Sequence, residues 1–259
     1  MNPTGTPWTV QPARRPEVAL RLFCLPYAGG GASVFRGWAD ALSAHIDVCP
    51  IQLPGHESRL REKPFDSVPP LVKALAEALQ PELDRPFALF GHSMGAVIGF
   101  ELARYLRCEY QLVPCHLFVS GHRAPHLADP EPPLYTLPTP AFIEGLMQRY
   151  NGIPTVILRD SELMQLFLPV LRADVTLLET YLYADDQPLD CPISAYGGLQ
   201  DSRANAEALG AWQKHTRSAF NLRMFLGGHF FLQTDRELVL QTIKQELIQT
   251  LSLLETAHV

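Results

Sequence analysis

Apolar runs and amphipathic stretches alternate along most of this chain. VALRLFCLP (18–26) reads as a buried strand, 33–44 as a helix opened by a Ser33 cap, and IDVCPIQLP (46–54) as a second strand. A helical stretch at 71–79, a strand PFALFGH (86–92), a helix over 94–107 and a strand CHLFVSG (115–121) continue the rhythm. Such alternation predicts an α/β fold with a mostly parallel sheet and helices on both faces. The rhythm breaks after about residue 123, where Pro-rich APHLADPEPPLYTLPTP leads into helix-like segments at 141–150 and 161–183. Their apolar residues, among them Phe142, Leu146, Phe167, Leu171 and Val175, recur at helical spacing. A long interruption of a regular fold is usually functional, so 126–190 is expected to form a small packed subdomain that serves as a helical lid. The α/β pattern then resumes with CPISAYGG (191–198), a helix at 204–216, the strand FNLRMFLGG (220–228) and a closing amphipathic helix at 236–254. No repeat and no long linker divides the chain. The expectation is therefore a loose segment over 1–17, in which only Trp8 and Val10 suggest packing, and a single domain over 18–259.

Composition narrows the class. Of 259 residues, 47% are hydrophobic and 19% charged, which excludes disorder as the main state. Basic residues number 21 against 27 acidic, a net charge of −6, so no overall positive field draws nucleic acid or anionic lipid. No apolar run reaches the roughly 18 residues of a membrane helix, and the opening MNPTGTPWTVQPARRPEVAL lacks the apolar core of a secretory signal. The expectations are no nucleic-acid partner, no membrane and a cytoplasmic location. Five cysteines, Cys24, Cys49, Cys108, Cys115 and Cys191, form an odd set without C-x-x-C spacing and read as reduced core thiols.

The strongest local signal is Gly91-His92-Ser93-Met94-Gly95, a G-x-S-x-G between a strand and a helix. Small residues at both glycine positions let the chain turn sharply, so the serine stands on a strained backbone with its hydroxyl above the sheet. A glycine-flanked turn with an inert serine is the bland alternative, and the strand-helix context weighs against it. A serine hydroxyl needs a base. Of nine histidines, His229 in LGGHFF lies after the last strand, where a loop meets the carboxyl edge of the sheet. His92 is expected to point away from the serine and to be structural. His122 and His126 are spaced i, i+4, but Arg-Ala-Pro between them spoils a helix and no carboxylate partner is evident, so no metal is expected. His45, His56, His116, His215 and His258 read as solvated or packed. The orienting acid falls between serine and histidine in chain order for this fold. Asp201, just past ISAYGG, is the candidate, whereas Asp185, Asp186 and Asp190 precede that strand and read as surface charges.

The loop PYAGGGAS (26–33) fails the G-x-G-x-x-G fingerprint because Val34 occupies the last glycine position, and it lacks the G-K-[ST] of a P-loop. No cofactor is expected. The Ala28 N–H, beside that of Met94, would make an oxyanion hole; taken alone, the loop reads equally well as a glycine-rich turn.

Together, LPYAGGGAS (25–33), QLPGHESRL (52–60), GHSMGA (91–96), SGHRAP (120–125) and GGHFFL (227–232) resemble the type II thioesterases, the free-standing α/β-hydrolases of polyketide and nonribosomal peptide synthetase systems. The motifs appear in the family's order from near residue 20 to near 232. One departure is visible: His122 stands where the family usually has a second Arg. The resemblance implies an editing enzyme that frees stalled or mis-primed acyl groups from the phosphopantetheine arm of acyl or peptidyl carrier proteins, and it implies a monomer. Ser93 would attack, His229 act as base and Asp201 orient it, with Ala28 and Met94 at the oxyanion. Arg59, Arg61 and Lys63, or Arg123 and Arg149, would offer a basic patch to an acidic carrier. Three rivals share much of this pattern: a carboxylesterase or lipase acting on oxygen esters, an acyltransferase, and a carrier-binding protein without turnover, against which the complete candidate triad argues.

Overall fold

In the computed structural model, which describes residues 6–10, 18–42, 45–150, 152–153 and 155–257, six strands form one sheet in the order β2-β1-β3-β4-β5-β6. They are β1 (Leu20–Leu25), β2 (Ile46–Pro50), β3 (Phe87–His92), β4 (His116–Ser120), β5 (Ile193–Gly198) and β6 (Phe220–Phe225), and every neighbouring pair is parallel. Every residue of β1, β3, β4 and β5 is buried, as a parallel sheet covered on both faces requires. Edge strand β6 is the exception and alternates between half-buried and exposed positions up to Phe225.

The helices are α1 (Trp38–Ala41), α2 (Val68–Leu79), α3 (Met94–Tyr110), α4 (Thr139–Tyr150), α5 (Thr155–Arg159), α6 (Ser161–Glu179), α7 (Ala206–Gly210), α8 (Phe231–Thr234) and α9 (Arg236–Ala257). On one face of the sheet, Leu75 and Leu79 of α2 and Val97, Phe100 and Leu106 of α3 join Phe23, Leu89, Leu117 and Ile193 in one core. On the other, Trp38 of α1 and Val239, Ile243 and Leu247 of α9 cover Leu22, Phe90, Phe118 and Tyr196. Phe90 stands at the middle of that second layer, its ring 4.9 Å from Trp38 and 6.1 Å from Phe35. A third, smaller core belongs to the segment that interrupts the alternation: Leu134, Phe142, Leu146, Ile153, Leu171 and Val175 pack together, and the Arg172 guanidinium lies 4.1 Å above the Phe142 ring.

Several elements depart from the sequence pattern. The helix expected over 33–44 is a 3-10 turn at Ala32–Phe35 followed by α1, because Gly37 turns into the left-handed region at φ 76°. Ser33 does not cap; its backbone N–H donates to the Glu57 carboxylate at 3.2 Å. The helix expected over 204–216 is α7, capped by the Asn205 side chain accepting from the Ala208 N–H at 2.8 Å, and a 3-10 turn at Ala211–His215. Of the expected loose segment, 1–5 and 11–17 lie outside the described residues. Between them Trp8 is buried against Phe65 and Thr9 makes an antiparallel bridge with Ile51. None of the five cysteines is in a disulfide, but only Cys24, Cys49 and Cys191 are buried; Cys108 is exposed. Among the described residues no helix is long and apolar enough to cross a membrane.

Because all six strands run parallel, the loops that follow β1, β3, β4, β5 and β6 emerge at one edge, where open α/β sheets place their sites. Phe90 holds the strand that delivers the central loop. Replacing it (Phe90→Ala) is expected to lower the unfolding free energy by about 3–5 kcal/mol, measured by urea denaturation of both proteins at one pH.

Candidate active site

Chain geometry at the end of β3 leaves no room for side chains. A Cβ at Gly91 would lie 1.9 Å from the Gly95 carbonyl oxygen, and one at Gly95 would lie 2.2 Å from that of Leu25. Between them Ser93 adopts φ 54° and ψ −112°, a strained conformation for a residue with a side chain. Its N–H donates to the Ser120 carbonyl at 2.7 Å, which ties the turn to the end of β4. Met94 opens α3, so its N–H has no acceptor inside the helix and faces the region where the helix dipole favours negative charge.

The loops after β5 and β6 bring the other two candidates to this turn. The His229 Nδ1–H donates to Asp201 Oδ2 at 2.7 Å, and His229 Nε2 lies 3.0 Å from the Ser93 hydroxyl oxygen. A carboxylate can only accept, so the hydrogen sits on Nδ1 and the Nε2 lone pair receives the serine O–H. Burial pushes the Asp201 pKa up, but the hydrogen bond and charge of His229 and the Arg203 N–H outweigh it, and the carboxyl is held below its ordinary value. That N–H reaches Asp201 Oδ1 at 3.0 Å. Glycines again set the approach: a Cβ at Gly198 would strike the Gly228 carbonyl oxygen at 2.3 Å, so β5 can pass close beneath the histidine loop.

Three rings cage His229. Tyr150 at the end of α4 is 5.0 Å away, Phe230 is 5.2 Å away edge-on, and His92 is 5.2 Å away. His92 lies closer to the reacting groups than its position in the sequence implied, yet it serves as packing. Its Nδ1 is 2.8 Å from the Ser120 hydroxyl, and burial, then the neighbouring His229, push its pKa well below the ordinary histidine value. Arg203 spans from this cage to the interrupting segment: its guanidinium lies 5.0 Å over the Tyr150 ring and bonds Asp129 at 2.6 Å and Glu131 at 2.7 Å. Neither Tyr150 nor Arg203 stands out in the sequence; the one signal is that Arg203 follows Asp201 by two positions.

Ser93, Ala28 and His229 line a cavity of about 580 Å³ that runs beneath α4 and α6, with Leu146, Ile153, Phe167, Leu171 and Val175 on its walls. His122 lines it too; burial pushes its pKa down to about 4, so the ring is neutral at physiological pH. His126 pairs with His215 at 2.8 Å, and among the described residues no group of three metal-binding side chains comes together. Asp186 bonds Arg107 at 2.7 Å and Asp190 bonds Arg217 at 3.0 Å on the surface, away from the site. Of the basic residues considered for docking, Arg59 is buried against Trp8 and paired with Glu62, and Arg149 is held by Glu131 and Glu179. Arg61 and Lys63 are exposed.

A family model described as a thioesterase domain matches residues 20–247. A protein of Brevibacillus parabrevis named linear gramicidin dehydrogenase LgrE is 43% identical over 93% of this chain and 92% of its own length. The gramicidin S biosynthesis protein GrsT of Aneurinibacillus migulanus is 42% identical, covering 93% of each chain. Among solved structures, the RedJ thioesterase from the prodiginine pathway of Streptomyces coelicolor superposes with a TM-score of 0.83 at 39% identity, over 91% of this chain and 96% of that one. The dehydrogenase name finds no support in the glycine-rich loop of this chain. Glu57 packs on Gly31 and places a carboxylate at the start of the 3-10 turn, where a pyrophosphate would need positive potential.

The strained turn makes a stability prediction independent of turnover. Ser93→Gly is expected to unfold at higher denaturant than Ser93→Ala, with a difference of about 1 kcal/mol, because glycine adopts positive φ without cost. Equal midpoints in paired denaturation curves would show that the turn stores no strain.

Proposed function

The chain belongs to the thioesterase family, and from that premise we propose that it hydrolyses acyl thioesters on the phosphopantetheine arm of carrier proteins in nonribosomal peptide or polyketide assembly. Its role is editing: release of stalled or mis-primed acyl groups. The observation that carries this reading is the Asp201–His229–Ser93 chain of hydrogen bonds opening into an apolar cavity under α4 and α6.

In the first half-reaction the Ser93 oxygen attacks the thioester carbonyl carbon while His229 Nε2 takes the hydroxyl proton. Asp201 holds the ring and stabilises the imidazolium that forms. The oxyanion is met by the N–H groups of Met94 and Ala28, aimed where charge develops. The C–S bond breaks, the pantetheine sulfur leaves with the proton from His229, and the acyl group remains on Ser93. Water then gives a proton to Nε2 and attacks the acyl carbon, the C–O bond to Ser93 breaks as the serine oxygen takes that proton back from His229, and the free acid departs. A thiol leaving group has a low pKa, so this chemistry demands less acid assistance than amide hydrolysis.

The segment 126–190 acts as the lid in this account. Leu134 and Phe142 fill its own small core, while Leu146, Ile153, Phe167, Leu171 and Val175 also line the cavity and present an apolar wall to the acyl chain. We place the carrier outside the lid and only its arm and acyl group within, the protein working as a monomer. Arg61 and Lys63, exposed beside the 52–60 loop, are the basic residues free to meet an acidic carrier.

The decisive measurement compares hydrolysis of an acetyl group on an acyl carrier protein with that of the matching oxygen ester. The carrier thioester is expected to be preferred. Ser93→Ala should abolish its turnover, and Asp201→Asn should lower kcat by about 10⁴, as loss of the orienting carboxylate does in serine hydrolases. Preference for the oxygen ester, or carrier turnover intact in Ser93→Ala, overturns the assignment.

A further inference from the structure

Helix α6 carries one buried carboxylate. Asp174 is 2% exposed, on the same side of the helix as Val170, Leu171 and Val175. A single oxygen, Oδ2, receives two donors: the Gly29 N–H at 2.6 Å and His56 Nε2 at 2.9 Å. The other His56 nitrogen, Nδ1, is 3.0 Å from the Pro54 carbonyl oxygen, which can only accept. Both ring nitrogens therefore donate, and a ring with two N–H groups is an imidazolium. His56 and Asp174 form a charged pair with side chains 3% exposed each, and it joins the lid to the 52–60 loop.

The same oxygen reaches the oxyanion loop. The Gly29 N–H shares a peptide plane with the Ala28 carbonyl, so its bond to Asp174 fixes that plane. On the other side of Ala28, the Tyr27 carbonyl accepts from the Gly30 N–H at 2.9 Å and fixes the plane that contains the Ala28 N–H. Gly29 stands at φ 76°, and a Cβ there would lie 2.6 Å from Phe167 and 3.2 Å from Leu171. The loop is thus pressed directly against α6, with the carboxylate as a polar link between them.

We propose that Asp174 and His56 are positioning residues that lock the Ala28–Gly29 peptide, and with it the loop that presents the Ala28 N–H to the oxyanion, so that turnover requires both a docked lid and a proton on His56. This rests on the thioesterase reading above and on the role given there to Ala28. The charges around the pair support a proton that persists at neutral pH. Burial alone would lower the His56 pKa, but the Asp174 hydrogen bond and charge, the Pro54 carbonyl and the nearby Glu57 outweigh it and raise the pKa above the ordinary histidine value. In the oxyanion loop the Tyr27 ring packs on His92 and Phe230 with its hydroxyl at Gln233, and burial pushes its pKa up, so it stays neutral. Arg59 of the same turn is committed to Glu62 and the Gln52 carbonyl, and Arg172 of α6 is turned to the Tyr135 and Leu137 carbonyls. With a raised folded pKa, the pair is complete at and below the ordinary histidine value. It is lost as pH rises through the raised value.

The test is the pH profile of kcat on an acetyl thioester of a short pantetheine analogue, for the wild type, Asp174→Asn and Ser93→Ala. Asp174→Asn keeps an oxygen for both donors and removes the charge that holds the His56 proton. Its alkaline limb is expected to move to lower pH than that of the wild type. At the upper end of the wild-type plateau kcat falls about tenfold, a part of the about 10²–10³ that loss of an oxyanion donor costs, while KM is unchanged. A single alkaline limb shared by the two proteins overturns the proposal. If Asp174→Asn does not fold, the wild type decides: the His56 ring, followed by NMR, must titrate with the alkaline limb of kcat, and titration at a different pH overturns the proposal as well. Ser93-dependent hydrolysis with an unmoved limb defeats the positioning role alone. Absence of hydrolysis in the wild type, or its survival in Ser93→Ala, defeats the thioesterase reading with it.

Discussion

The crossing of β3, the Ser93 turn and α3 over the end of β1 is the constraint on which the rest of the structure depends. Gly91 and Gly95 are held against backbone carbonyls at distances no side chain tolerates, and Ser93 is held at positive φ between them. A strained residue persists only where its surroundings over-determine it. Here they do so from three directions. The Ser93 N–H is bonded to the end of β4, the two cores clamp β3 from opposite faces with α3 in one of them, and β1 runs alongside in register, Leu25 beside Gly91. The hydroxyl is therefore delivered by a turn fixed from three directions, and the other groups at the site are placed relative to it by loops that leave the same edge of the sheet.

What the sequence made legible follows from that arrangement. The buried strands are nearly continuous apolar runs, so their positions were readable, and parallel strands oblige the loops after β3, β5 and β6 to meet. Ser93, Asp201 and His229 could be picked because each follows such a run by a short glycine-containing turn. Short connecting elements were not legible for an equally physical reason. The stretch 33–44 has helical composition, but one left-handed glycine, Gly37, breaks it, and Glu57 from a distant loop takes the N–H of Ser33 that the expected cap would have used locally. Tyr150, Arg203 and Asp174 escaped notice, and His56 read as solvated or packed, because their meaning lies in partners far along the chain. Asp174 left a trace of its own, a single acid on the apolar side of an amphipathic helix.

Residue types by themselves do not define a site, and this chain contains its own demonstration. His116 Nε2 lies 2.8 Å from the Ser194 hydroxyl, which donates to Glu246, so a serine, a histidine and an acid again meet. Yet Ser194 is wholly buried, on a regular strand, and burial alone pushes the His116 pKa down to about 4. These groups bond one another between β4, β5 and α9, and the other His116 nitrogen meets the Thr250 hydroxyl at 3.1 Å. The difference at Ser93 is the strained turn, the helix N-terminus and the open chamber, which leave the hydroxyl reachable and leave donors aimed at a place where a substrate atom can stand.

The same reasoning bears on the link between lid and oxyanion loop. Burying an imidazolium and a carboxylate costs several kcal/mol in desolvation, and apolar side chains of similar volume often hold two segments together at least as well. Adhesion is thus a poor explanation for the His56–Asp174 pair, since Phe167 and Leu171 already press α6 against Gly29. An apolar contact, however, cannot orient a peptide plane. One carboxylate oxygen that accepts from the Gly29 N–H does so, and once that oxygen is buried it needs a second donor and a compensating charge, which His56 supplies. On the reading proposed above, the pair is the cost of fixing the loop that presents the Ala28 N–H with a side chain carried on α6, so that the loop is held only when the chamber is covered.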